Sequence, residues 1–120
     1  MGLIFYDKKY DEIFEAICKF FGVEKCIVCG LKDVVSESPG VYMFMHGLGM
    51  TFIPYYVGFA GNLKNRVRGH DEHEPCSNIL FIETADETTA ARIETFFAAA
   101  FYETLKNKIK LLKGVRPCRT

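Results

Sequence analysis

At 120 residues, 49% of them apolar and 25% charged, the chain has the size and balance of one globular domain that buries a core without disulfide staples. No run of 18 apolar residues occurs, which argues against a membrane span. The opening Met-Gly-Leu-Ile-Phe-Tyr-Asp lacks a basic region and a long enough apolar stretch for secretion. The five cysteines are therefore expected as reduced thiols in a cytoplasmic (or, in a eukaryotic host, nuclear) setting.

Residues 7–22 have an amphipathic helical pattern, with Ile13, Phe14, Ile17, Cys18, Phe20 and Phe21 at helical spacing and Gly22 placed to stop it. The stretch 24–29 reads as a short strand or a tight connection, and 30–40 as a loop punctuated by Gly30, Ser36, Ser38, Pro39 and Gly40. Strands over 41–46 and 52–58, joined at Gly47-Leu48-Gly49, make a hairpin; Pro54 limits pairing at the start of its second strand. Residues 62–70 suggest a short helix with Leu63 and Val67 inward and Lys64 and Arg68 outward. A strand at 78–84 follows, then Thr84-x-x-Glu87 as a capping box for a long helix from about 86 to 105. The segment 107–113 continues that helix or starts another. The expectation is an α+β fold: a small, mostly antiparallel three-stranded sheet flanked by helices, with an added N-terminal helix.

Charge is uneven although it cancels overall. From Lys106 to Arg119 the chain carries six basic residues, Lys106, Lys108, Lys110, Lys113, Arg116 and Arg119, and no acidic one. This is either a local phosphate-binding surface or a solvated basic tail.

Three features carry chemistry. Glu94 falls within the apolar stripe Ala90, Ile93, Phe97, Ala98 and Phe101. A carboxylate there needs an Arg partner or a bound cation. Arg66 and His70, four apart, share one side of the short helix; Arg suits a two-point clamp on phosphate. Tyr42 and Tyr56 sit one on each hairpin strand near Gly40 and Gly58, where backbone can approach a ligand closely. A phenol can orient water or donate to a phosphate oxygen, and acts as a base only where a cation lowers its pKa. Each feature also has a purely structural explanation: an ion pair, a surface charge beside a surface His, or two ordinary strand aromatics.

Together, Pro39-Gly40-Val41-Tyr42 and Tyr56-Val57-Gly58 closely resemble the two signature motifs of the GIY-YIG nuclease family. The stretch from Tyr56 through Asn62-Leu63-Lys64-Asn65-Arg66 to His70 is similar to the family's run from its second motif to its catalytic Arg and a following His. Its wording is nearest the nuclease domain of the bacterial excision-repair incision subunit, and its spacing also that of phage homing endonucleases. Ala91-Arg92-Ile93-Glu94 and Asn107 resemble the family's metal-binding Glu and later Asn. The resemblance covers roughly residues 38–108.

It implies an endonuclease that hydrolyses DNA to 5′-phosphate and 3′-hydroxyl ends, with RNA left open. Glu94 would hold Mg²⁺ or Mn²⁺. Arg66 would clamp the phosphate, Tyr42 would orient or deprotonate water, Tyr56 and His70 would complete the site, and Asn107 would support it. Gly58, Lys64, Arg68, Lys106, Lys108 and Lys110 are the substrate-contacting candidates. On this reading 39–120 is the nuclease-like domain with its basic segment, and 1–38 a helical extension packed on it or offered to a protein partner or a second copy. One position departs: Phe59 stands where many members have Lys, removing a cation that could lower the Tyr42 pKa. A weak or inactive module that binds nucleic acid or protein is the alternative. Cys26-x-x-Cys29 with His73-x-x-Cys76 has the composition of a zinc site; the plain alternative is buried free thiols.

Overall fold

A computed structural model of the chain describes residues 4–69 and 78–105. In chain order these form α1 (Lys8–Phe20), β1 (Ile27–Gly30), β2 (Gly40–Leu48), β3 (Thr51–Ala60), α2 (Leu63–Arg68), β4 (Asn78–Glu83) and α3 (Glu87–Ala100). Single 3₁₀ turns follow β1 at Leu31–Asp33 and α3 at Tyr102–Thr104. The class is α+β. One antiparallel sheet, in the order β1-β4-β2-β3, carries helices on both faces.

Local chemistry sets the element ends. Asp7 caps α1 by accepting from the Lys9 N–H, and the helix stops at Gly22, whose φ of +70° is a left-handed conformation that suits glycine. The inward stripe of α1 is Tyr10, Asp11, Phe14 and Cys18. Asp11 is buried because it has work to do there: its Oδ1 accepts from the Ile4 and Phe5 N–H groups at 2.8 and 3.1 Å. This holds the chain where Phe5 pairs in parallel with Phe52 of β3.

The β2–β3 hairpin turns at Gly49, with φ +62°, and both strands run longer than their sequence pattern indicates. Pro54 sits inside β3 and coincides with an irregularity. Phe44 opposes Tyr56 and Met45 opposes Pro54, so Tyr55 is the extra residue of a bulge. β3 ends the sheet order, the position in which a proline costs least.

Three sequence expectations change. The sheet has four strands, not three, because Ile27–Gly30 pairs with β4 from Ile27↔Phe81 to Gly30↔Asn78. The segment before residue 39 therefore supplies a strand as well as a helix. The Thr84–Glu87 capping box does not form. Asp86 is the cap, accepting from the Thr89 N–H at 2.7 Å, while the Thr84 hydroxyl donates to the Asp86 carbonyl. Finally, α3 ends at Ala100, short of the expected 105; the segment 107–113 lies outside the described residues.

Strand alternation divides the core in two. Val41, Met43, Met45, Val57, Leu80 and Ile82 face α1 and α3, where Phe14 and Phe97 stack with centroids 5.2 Å apart. Tyr42, Phe44, Tyr56, Ile79 and Phe81 face the other way, against Leu63 and Val67 of α2. Gly40 permits the close approach of β2 to β4 and of α2 to β2: a Cβ there would run into the Ile82 carbonyl and lie 2.6 Å from Leu63 Cδ1. No described helix is long and apolar enough to cross a membrane.

Candidate active site

The hairpin register sets Tyr42 directly opposite Gly58. A Cβ at Gly58 would fall 2.5 Å from the Tyr42 Oη and 2.6 Å from its Cζ. The phenol ring therefore lies over bare backbone and carries its hydroxyl across β3, the outermost strand. Tyr56, two residues earlier and on the same face, stacks beside it at 6.4 Å and 13°. Both rings are buried, at 2% and 5% exposure.

Three contacts hold α2 in place. The Asn62 side chain accepts from the Asn65 N–H at 3.0 Å, the Leu63 N–H donates to the Ser38 carbonyl at 3.0 Å, and the Lys64 N–H donates to the Ser36 carbonyl at 2.8 Å. With Leu63 and Val67 inward, Arg66 is left exposed, yet its positive charge reaches the Tyr42 phenol.

Glu94 reaches the same phenol from α3, a helix packed on the opposite face. The helix direction explains how. Its first residue, Glu87, lies at Gly61, where a Cβ would sit 3.2 Å from the Glu87 Oε1. Phe101, just past its end, meets Phe5 at 4.8 Å, and Phe5 pairs with Phe52. So α3 runs antiparallel to β3. Two helical turns from Glu87 to Glu94 cover about 10.5 Å, and three strand residues from Gly61 back to Gly58 cover about 10 Å. Glu94 thus stands level with Gly58 of the outermost strand, half-buried.

The electrostatics follow from this placement. The Tyr42 pKa is pushed well above the ordinary phenol value, first by burial and then by the neighbouring Tyr56. Arg66 pulls it down and Glu94 pushes it up. The hydroxyl is accordingly held protonated at neutral pH.

Of the residues singled out from sequence, Tyr42, Tyr56 and Gly58 adjoin one another, and the charges of Arg66 and Glu94 act on the Tyr42 phenol. The two neighbouring cations make local structural contacts. Lys64 lies 3.8 Å from the Glu37 carboxylate, and the Arg68 Nη2 donates to the Lys32 carbonyl at 3.1 Å, tying α2 to the turn after β1. His70, His73, Cys76, Lys106, Asn107, Lys108 and Lys110 lie outside the described residues. Sequence reading treated Glu87 as a helix-start residue only. It is a second carboxylate along the same side of α3, and its seven-residue spacing from Glu94 was the available signal.

The Cys26–Cys29 half of a zinc site does not assemble. The two positions are an odd number apart, so Cys26 packs with the α1–α3 cluster and Cys29 with the α2 cluster across the sheet. Burial raises the pKa of both thiols, as expected for small apolar fillers, and pushes the buried Cys18 up to about 12, aided by Cys26 and Glu15. A separate cleft of about 390 Å³, lined in part by Glu24, Lys25, Glu83 and Thr89, shares no residue with the tyrosine site.

Compared with protein-family models, with curated proteins and with solved structures, the chain matches none.

Proposed function

We propose that the chain is a divalent-metal-dependent endonuclease of the GIY-YIG type that hydrolyses DNA phosphodiester bonds to 5′-phosphate and 3′-hydroxyl ends. One observation carries this reading. Tyr42 lies on Gly58 beside Tyr56, and the charges of Arg66 and Glu94, distant in sequence and carried on different helices, both reach its hydroxyl. Two phenols, with a guanidinium and a carboxylate whose charges reach one of them, are the set the sequence resemblance implies. The antiparallel sheet with flanking helices is compatible with that architecture.

In this reading Glu94 would hold the divalent ion. Glu94 is half-buried, and its charge opposes ionisation of the Tyr42 phenol. Among the described residues no three His, Cys, Asp or Glu side chains converge. A cation held by Glu94 would take its other ligands from water and phosphate, the coordination Mg²⁺ commonly adopts. Bound there, the ion would supply positive charge against the phosphate oxygens.

The protein's own groups do the rest. Arg66 presents parallel N–H donors to a non-bridging oxygen and stabilises the charge that builds on it. Tyr42, held protonated, orients the attacking water through its hydroxyl. Tyr56 fixes the Tyr42 ring, and the bare backbone at Gly58 leaves room for that ring to lie across β3. His70, Asn107 and the basic residues Lys106, Lys108 and Lys110 complete the site and its phosphate contacts in this reading.

The test is nicking of plasmid and branched DNA with Mg²⁺ or Mn²⁺, with an RNA duplex as a parallel arm. Wild type cuts, and Glu94→Ala and Arg66→Ala each lose about 10²-fold or more. Wild type that binds DNA without cutting it, undisturbed by Glu94→Ala, supports the second reading: a module of the same fold that binds nucleic acid or a protein partner. Two observations favour that second reading: Phe59 in place of the common Lys, and the raised Tyr42 pKa.

A further inference from the structure

The helix α1 carries two apolar stripes. The inner one, Tyr10, Phe14 and Cys18, is consumed by the core. The outer one, Ile13, Ala16 and Phe20, follows the three-then-four spacing of a helix–helix seam and faces solvent, with Ile13 37% and Phe20 72% exposed. On one flank of this seam α3 adds Phe96, 46% exposed, whose ring lies 5.9 Å from Phe20 and 5.2 Å from Phe21. Ile17, Phe20, Phe21 and Phe96 line a small groove with no polar surface. Exposed aromatics gathered around a groove are uncommon on a monomer's surface.

The charges beside the seam identify the occupant. On the flank away from α3 stand Glu12 and Lys19, both exposed, seven residues apart and opposite in sign. When two copies of one helix pair antiparallel about a two-fold axis, residues on the same flank meet each other. An axis through Ala16, the small residue at the centre of the seam, sets Glu12 of each copy against Lys19 of the other. The same register sets Ile13 of each copy beside Phe20 of the other, at the mouth of the apolar groove. Charge, size and apolar spacing agree on one register.

We propose that α1 is a self-association surface, through which two copies of this chain form an antiparallel, two-fold symmetric dimer centred on Ala16. The seam is short, so the dimer is a weak, concentration-dependent one. It involves none of the residues assigned to phosphate chemistry and stands or falls separately from the nuclease reading.

Sedimentation of the full chain over a concentration series tests it, with circular dichroism confirming that each variant is folded. Wild type dimerises as concentration rises, and Phe20→Glu weakens dimerisation about tenfold or more. Phe20 is largely outside the core, so this change leaves the fold intact. Glu12→Lys and Lys19→Glu each weaken the dimer by placing like charges opposite each other, and the double variant restores it. Three results overturn the proposal: a wild type that stays monomeric to its solubility limit, a Phe20→Glu variant that dimerises as tightly as wild type, or a double charge swap no tighter than the single ones.

Discussion

The two faces of the sheet are built from the same strands and do different things. On the face under α1 and α3, β2 contributes Val41, Met43 and Met45, side chains with nothing to hydrogen-bond, closed over by stacked Phe14 and Phe97. On the other face the alternating positions are Tyr42 and Phe44, joined by Tyr56 from β3, so the burial is aromatic and ends in hydroxyls. The first face packs for stability. The second gives up some apolar burial to hold two phenols, of which Tyr42 feels the charges of Arg66 and Glu94. The period of two along a strand lets one sequence serve both purposes, since neighbouring residues never compete for the same side.

The sharpest way to separate the faces is to damage each in turn. Phe97→Ala opens a cavity under α3 and costs about 3–5 kcal/mol in chemical denaturation. The fraction that stays folded keeps its activity per folded molecule; a selective loss of activity would mean the dry face does more than pack. Gly58→Ala inverts this pattern. Its methyl group displaces the Tyr42 ring, costing about 1–3 kcal/mol and abolishing activity even in the folded fraction. Unchanged activity would show that the ring position over Gly58 is not needed.

The buried phenol also leaves a signature in pH. Tyr42 has a folded-state pKa above its unfolded value, so its contribution to stability is intact below about pH 10 and declines above it, where the unfolded chain ionises first. Tyr42→Phe should make the alkaline fall in unfolding free energy shallower by up to about 1.4 kcal/mol per pH unit. Tyr10, raised chiefly by burial, keeps its own share of that slope. An unaltered slope would place the Tyr42 hydroxyl in water. The smallest effect is expected at the α2 cap: Asn62→Ala costs about 1 kcal/mol and lowers activity by loosening the turn that carries Arg66.

Much of this was legible in the sequence because it rests on local pattern. Gly22 stops α1, Asn62 precedes the inward pair Leu63 and Val67, and Glu94 interrupts an apolar stripe; each needs only a few neighbouring residues to be read. What escaped depends on distant partners. Ile27–Gly30 is four residues with no clear alternation, so local pattern leaves it between a short strand and a tight connection, and β4 decides by offering an edge about fifty positions later. Thr84 and Asp86 both offer a capping oxygen, and the end of β4 at Glu83 decides between them. The spacing of Cys26 and Cys29 resembles half a metal site until a strand start between them turns the thiols to opposite faces. Tyr55 becomes a bulge only because Pro54 must be accommodated next to it. The convergence of Glu94 on Tyr42 required the direction of α3, which no local signal supplies.

The central claim is that Arg66 and Glu94, on helices packed against opposite faces, serve one reaction at one site. A double-mutant cycle on kcat/KM for DNA nicking, using Arg66→Ala, Glu94→Ala and the pair, measures this directly. Groups acting as a unit are strongly non-additive, so the double variant is predicted to be about as impaired as either single one. Losses that simply add, or single variants that cut as well as wild type, would contradict a shared site.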